Sequence, residues 1–220
     1  MVLCDGQVDH TTGLFLLREA TKPWPLYCTA NVMDDLTQGN PIVRVLRHFC
    51  GTSHQPIAPD VPFGIDALPG IVWCPVAVSG KPAPFSPSRD LPRPGDNVAL
   101  MIGDEGGGTV FYAPGLGAIE AAVWQQMQSA DVVLVDGTFW CDEEMINLGV
   151  STKRARDIGH LPQSGPGGML EWLERLPTST RKILIHINNT NPILDERSAE
   201  AKELRLRGVE VAHDGLEITL

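Results

Sequence analysis

Val132-Val133-Leu134-Val135-Asp136 decides the reading of the fold: four apolar residues, three of them β-branched, run straight into a carboxylate. A short continuous apolar run of this kind reads as a strand buried on both faces, here with a candidate ligand at its exit. The same grammar recurs where Val2-Leu3-Cys4 runs into Asp5 and where Ile183-Leu184-Ile185 runs into His186. The first run also delivers Asp9 and His10 within one loop. In open α/β sheets sites assemble at the carboxyl ends of strands, so the pattern points to a metal-centred active site.

Working outward, the spacing predicts a helix over Thr11 to Ala20, a strand over Leu26 to Ala30, a helix capped by Asn31 and a helix over Ile42 to His48. From Gln55 to Ala113 the texture changes to strand and loop. Candidate strands there are Phe63 to Ile65, Ile71 to Cys74, Val76 to Val78, Val98 to Ile102 and Val110 to Ala113, the last two joined by a hairpin turn over Asp104 to Gly108. The Pro-rich segment Gly80 to Gly95 reads as a long irregular loop and a candidate cover for a site. Alternation then returns: helices over Ala118 to Gln128, Pro166 to Arg175 and Ser198 to Arg207, and strands over Lys182 to Ile187, Val209 to Val211 and Leu216 to Leu220. The mixture predicts one α/β domain over residues 1–220 in which helices cover sheets.

At 220 residues the chain is long enough to bury a full core, and 17 basic against 27 acidic residues leave a formal charge of -10. That balance argues against nucleic acid or an anionic membrane as a partner and favours a small molecule or another protein. No membrane-length apolar run or signal-type start is present, so the expectation is a cytoplasmic protein. Cys4, Cys28, Cys50, Cys74 and Cys141 are odd in number and form no Cys-x-x-Cys, which predicts reduced thiols.

Asp9 and His10 at a helix start can present both side chains to a common point, or simply cap the helix. His186 precedes Asn188, Asn189 and Asn191, amides suited to orienting ligands. Two imidazoles and one carboxylate are the ligand set of a facial triad for Fe(II), and the same set also suits zinc. Asp136 reads as a further ligand, as an acceptor that orients a ligating histidine, or as a cap for the following loop, with the acceptor role preferred. Gly165-Pro166-Gly167-Gly168 ahead of a helix offers an anion site or merely a packing turn. His48, His54 and His213 have no convergent partners and are assigned no role.

The order Asp5, Gln7, Asp9, His10 resembles the His-x-His-x-Asp-His signature of the metallo-β-lactamase superfamily with both leading histidines replaced. Gln7 to Leu14, Tyr112 to Gly117, Gly165 to Glu171 and Ile185 to Asp195 resemble the family of coenzyme PQQ synthesis protein B. The resemblance implies an αββα sandwich, here incomplete at its amino terminus, without the first strands and without a cysteine-rich segment associated with a structural zinc. It implies that Asp9, His10 and His186 hold the second metal of the superfamily pattern. The first metal site is largely dismantled, since Pro114 and Gly115 stand where a bridging aspartate is expected. A mononuclear centre follows.

The implied activity is iron-dependent hydroxylation of a tyrosine-derived precursor in pyrroloquinoline quinone synthesis, with Fe(II) as metal and O2 as co-substrate. A carrier for the cofactor or its precursor, and a zinc hydrolase, stand as alternatives. His160 occupies the place where related hydrolases carry a histidine near substrate, so His160 and Asp136 are the candidate acid-base residues. Arg89 and Arg93, with Asn188 and Asn189, are the candidate substrate contacts. The expected partners are a small amino-acid-derived substrate, other proteins of the same pathway and a second copy of the chain.

Overall fold

In the computed structural model, which describes residues 1–220, contacts fall into two units: Met1–Phe63 with Cys74–Val98, and Gly64–Trp73 with Ala99–Leu220.

The first unit runs through α1 (Val8–Thr11), a 3-10 turn (Thr12–Leu17), β1 (Trp24–Cys28), α2 (Ala30–Asp34) with a π-helical turn (Asp35–Gly39), α3 (Ile42–Leu46) and β2 (Thr52–Pro56). β1 and β2 pair in parallel, Trp24 opposite Thr52 and Cys28 opposite Pro56. The run before Asp5 makes one parallel bridge, Val2 to Tyr27, and Leu3 N donates to Tyr27 O. That bridge places Asp5 just beyond the end of a strand-like segment. Leu3, Leu26, Cys28, Val32, Leu36 and Ile42 are buried together, each apolar side chain stabilising by roughly 1.5–3 kcal/mol. Burial pushes the Cys28 thiol up to about 12 and raises Cys4 as well, and all five cysteines are free.

The second unit carries the sheet β3 (Phe63–Ile65), β4 (Leu68–Ala77), β5 (Val98–Asp104), β6 (Thr109–Ala113), β7 (Val132–Asp136), β8 (Arg181–Ile185) and β9 (Val209–Val211), in that spatial order. The chain passes between the units within β3 and β4 and at the start of β5. β5 and β6 form an antiparallel hairpin; β6, β7, β8 and β9 are all parallel. Its helices are α4 (Ala121–Ser129), α5 (Glu144–Asn147), α6 (Met169–Glu174) and α7 (Ala199–Leu206). Val132, Val133, Val135, Ile183 and Leu184 are buried, as a parallel layer requires. In the β7–β8 register Asp136 lies opposite Ile185, which brings the exits of both strands to one level.

Several expected elements differ, each for a local reason. Thr11 to Ala20 is not one α-helix, because Thr11 and Thr12 hydroxyls donate to the Gln7 and Val8 carbonyls and the turn tightens into 3-10 geometry. α2 is capped by Thr29, whose hydroxyl accepts from Val32 N, while Asn31 donates to Pro94 O. Leu216 to Leu220 forms no strand: Leu220 packs against the hairpin turn so closely that a Cβ on Gly108 would lie 2.6 Å from its own. β2 and α5 carried too little apolar periodicity to be read from sequence.

The Pro-rich segment is fastened along its length within the first unit. Thr29 donates to Gly95 O at 2.6 Å, Ser86 donates to the buried Asp35 carboxylate, and Asp96 accepts from Arg93 N at 2.6 Å. Desolvation raises the Asp35 pKa, Asp96 and Asp34 raise it further, and the Ser86 hydrogen bond and Arg93 act the other way. A folded pKa above the unfolded value means stability is lost as pH rises from the ordinary aspartate value of 3.8 through the raised one. Asp35→Asn, which keeps a polar partner for Ser86, is expected to stabilise the chain by about 1–2 kcal/mol at pH 8. The gain should vanish towards pH 4 in urea melts compared across pH.

Candidate metal centre

Asp5 is buried, and its carboxylate accepts from Gln7 N at 2.9 Å, which forms the turn into α1. The same carboxylate holds His10 Nδ1 at 2.8 and 3.0 Å. Asp5 is thereby spent on orienting His10, whose Nδ1–H points inward while Nε2 keeps the lone pair. Asp9 Oδ2 lies 3.7 Å from His10 Nε2. Within the first unit, then, the motif yields an exposed carboxylate beside an imidazole nitrogen of fixed tautomer.

The second unit builds a denser arrangement around Asp136, which is fully buried. Its Oδ1 accepts from Thr138 N at 2.9 Å and Thr138 Oγ1 at 2.5 Å; its Oδ2 accepts from Leu116 N at 2.9 Å and His160 Nδ1 at 2.7 Å. Four donors occupy both oxygens, which suits a positioning anion and not a metal ligand, although Asp136, His160 and His186 lie close enough to suggest a cation triad. The bend over Asp136-Gly137-Thr138 packs hard on β8: a Cβ on Gly137 would meet Ile187 Cδ1 at 2.5 Å and Leu184 Cβ at 2.9 Å.

Thr138 is the residue that sequence reasoning missed. Its single hydroxyl proton goes to Asp136, so toward His186 Nδ1, at 2.7 Å, it acts as acceptor. His186 is therefore held with Nδ1–H toward Thr138 and the lone pair on Nε2, the same tautomer that Asp136 imposes on His160. The two rings stack at 5.4 Å with planes 18° apart, and Phe139 meets His160 edge-on at 5.8 Å. His186 has φ 56, a left-handed conformation that costs a non-glycine residue roughly 1–3 kcal/mol and persists only where its surroundings enforce it. Gly137 N to Ile185 O at 2.7 Å and Ala212 N to Leu184 O at 2.9 Å fix the backbone just before it.

The other sequence candidates make local contacts. Asn188 donates to Thr190 Oγ1 at 2.6 Å, and Thr190 donates to the buried Glu144 at 2.5 Å. Asn189 is exposed. Asn191 ties the loops, donating to Gly137 O and Thr138 O while its own Oδ1 accepts from Ile193 N, and Asn188 N also donates to Thr138 O. Gln163 also donates to Gly137 O. Arg89 donates to Pro82 O and Arg93 to Ser88 Oγ, both inside the Pro-rich segment of the first unit. The Gly165–Gly168 turn is closed by its own chain, Gly167 N donating to Glu171 at 2.9 Å.

The family model of the β-lactamase superfamily domain matches residues 1–187. Coenzyme PQQ synthesis protein B of Azoarcus sp. strain BH72 is 55% identical over the whole of this chain and 73% of its own length. That of Cupriavidus necator is 52% identical over the whole chain and 72% of its length. Among solved structures, Zn2+-bound PqqB from Methylobacterium extorquens superposes with a TM-score of 0.87 at 32% identity, covering all of this chain and 72% of that one. A diphosphatase of the PhnP family, at TM-score 0.61 and 17% identity, shares the fold. The chain belongs to the coenzyme PQQ synthesis protein B family.

Removing an outer partner of a ligating histidine typically lowers metal affinity by about 10–100-fold. Thr138→Val, which keeps shape but not the hydroxyl, is expected to weaken Zn2+ binding to that extent in competition with a chromophoric chelator, whereas Thr138→Ser should stay within about threefold. Gly137→Ala should destabilise the chain by about 1–3 kcal/mol through overpacking against β8, read as a lower urea midpoint.

Proposed function

We propose that this chain acts in pyrroloquinoline quinone biosynthesis as a mononuclear, iron-dependent hydroxylase of a tyrosine-derived precursor, with Asp9, His10 and His186 as its metal ligands. The observation that carries the reading is the shared tautomer of the two histidines: Asp5 anchors His10 through Nδ1 and Thr138 anchors His186 through Nδ1, leaving Nε2 as the donor on each. Imidazole nitrogen with carboxylate oxygen suits a divalent first-row metal, so the donor set fits. Bound there, the metal supplies open coordination positions at which dioxygen can be activated.

The chain's own residues supply the rest. Asp5 and Thr138 hold the two imidazoles against rotation, so that no reorganisation is needed when a cation arrives. Asp136 holds His160 with Nδ1–H inward, and His160 Nε2 is the base that accepts the proton of the substrate phenol. The resulting imidazolium is stabilised by the buried Asp136 carboxylate 2.7 Å from Nδ1. Glu144 and Asn191 lock the loops that carry Thr138 and His186, which keeps these spacings fixed.

A two-metal hydrolase is disfavoured on the same grounds. Asp136 has no unengaged oxygen lone-pair direction, Asp5 is committed to His10, and Pro114 and Gly115 offer no side-chain donor where a bridging carboxylate would stand.

The test is metal stoichiometry and O2 uptake after anaerobic Fe(II) loading, with ascorbate as two-electron donor and the tyrosine-derived precursor as substrate. The expected result is one iron per chain and uptake that requires substrate, with at least a hundredfold loss of uptake in Asp9→Ala and His186→Ala. Two metals per chain would favour the hydrolase; precursor binding without uptake would favour a carrier.

A further inference from the structure

We propose that Arg156 is the docking point for the carboxylate of the amino-acid-derived ligand, in a cleft of about 380 Å³ lined by Cys141, Asp142, Asn147, Arg154, Arg156 and Ser164. The inference rests on the reading above for the ligand's identity, but the site itself stands on the second unit alone.

The cleft is a place of mixed charge whose other charged groups are already engaged. Arg154 donates to Glu143 at 2.7 Å and lies 4.0 Å from Asp142, and Asp142 Oδ1 accepts from Arg156 N at 3.1 Å. Ser164 donates to Trp140 O at 2.7 Å. The exposed Arg156 guanidinium makes no hydrogen bond or ion pair, so its planar fork of donors is available to a ligand, and Asn147 lines the same cleft as a neutral donor. A guanidinium in that position matches a carboxylate in two parallel hydrogen bonds, a geometry that an ammonium does not reproduce.

On the chain this group lies four residues before His160. Arg156 begins the short turn Arg156–Ile158, and His160 N donates back to Ala155 O at 3.1 Å. Leu161 N donates to Leu116 O at 2.6 Å, next to the amide that holds Asp136. One hydrogen-bonded stretch of chain, Ala155 to His160, thus carries both the imidazole assigned to proton transfer and the guanidinium assigned to the ligand's carboxylate. Arg89 and Arg93, the arginines that charge type alone suggested, donate within the Pro-rich segment to Pro82 O and to Ser88, and Arg93 lies 3.6 Å from Asp96.

The test uses the metal-free full chain, so that it is independent of oxygen chemistry, with L-tyrosine as probe and tyramine as the same phenol without its carboxylate. Amide chemical-shift titrations should show L-tyrosine perturbing Cys141 to Ser164 and binding at least tenfold more tightly than tyramine. Arg156→Ala should abolish that preference, Arg156→Lys should restore only part of it, and Arg47→Ala, an exposed arginine of the first unit, should leave it intact. Equal binding of both probes to the wild-type chain, no binding of L-tyrosine, shifts centred elsewhere, or an unchanged preference in Arg156→Ala each overturns the proposal. Carboxylate selectivity at Arg156 in a chain that shows no iron-dependent uptake would sustain this site while overturning the hydroxylase; uptake that is unaffected by Arg156→Ala, with no selectivity, would do the reverse.

Discussion

The second unit's candidate site depends on one buried anion. Asp136 accepts four hydrogen bonds, from two backbone amides, one hydroxyl and one imidazole, and each of those donors fixes a different piece of the site. Leu116 N closes the loop after β6, Thr138 N bends the chain after β7, and His160 is turned to offer Nε2. An ionised carboxylate so far from water is tolerable only because every lone-pair direction is met. The same saturation removes Asp136 from the set of available metal ligands. Its contribution is to orient donors, through Thr138 for His186 and directly for His160.

The first unit solves the corresponding problem with fewer atoms. Asp5 stands where the superfamily pattern has a histidine ligand, and its carboxylate faces His10 Nδ1. A residue that replaces a ligand has become the support of a neighbouring one. In each unit an acidic or hydroxyl acceptor fixes Nδ1–H and leaves Nε2 with its lone pair, a convergence that a purely structural histidine would not require. The left-handed backbone at His186 points the same way, since strain of that kind is retained where a side chain must be aimed.

Much of this was legible in the sequence, because buried parallel strands announce themselves as unbroken apolar runs and their exits are where the ligating residues stand. The β7 and β8 runs became strands nearly as read, and Asp136 and His186 stand at their ends. The Val2 to Cys4 run became a single bridge to Tyr27, with one further backbone hydrogen bond from Val98 N to Cys4 O. What could not be read are contacts whose partner is a backbone group distant in sequence: Gln163 and Asn191 both donate to Gly137 O, and no spacing rule announces that. Thr138 was closer to visibility, since Asp-Gly-Thr after a strand is the signature of a carboxylate that accepts from the amide two residues on. The partners of Arg89 and Arg93 were equally illegible, because a sequence shows that a guanidinium exists but not which neighbouring groups it meets.

The most direct measurement is the ring-nitrogen spectrum of the ¹⁵N-histidine-labelled chain, metal-free and then loaded with Zn2+. The account predicts that His10, His160 and His186 all carry the proton on Nδ1 in the metal-free chain, and that zinc shifts Nε2 of His10 and His186 while leaving His160 as it was. A proton on Nε2 of His10 or His186, or zinc binding at Nδ1 of either, would contradict it.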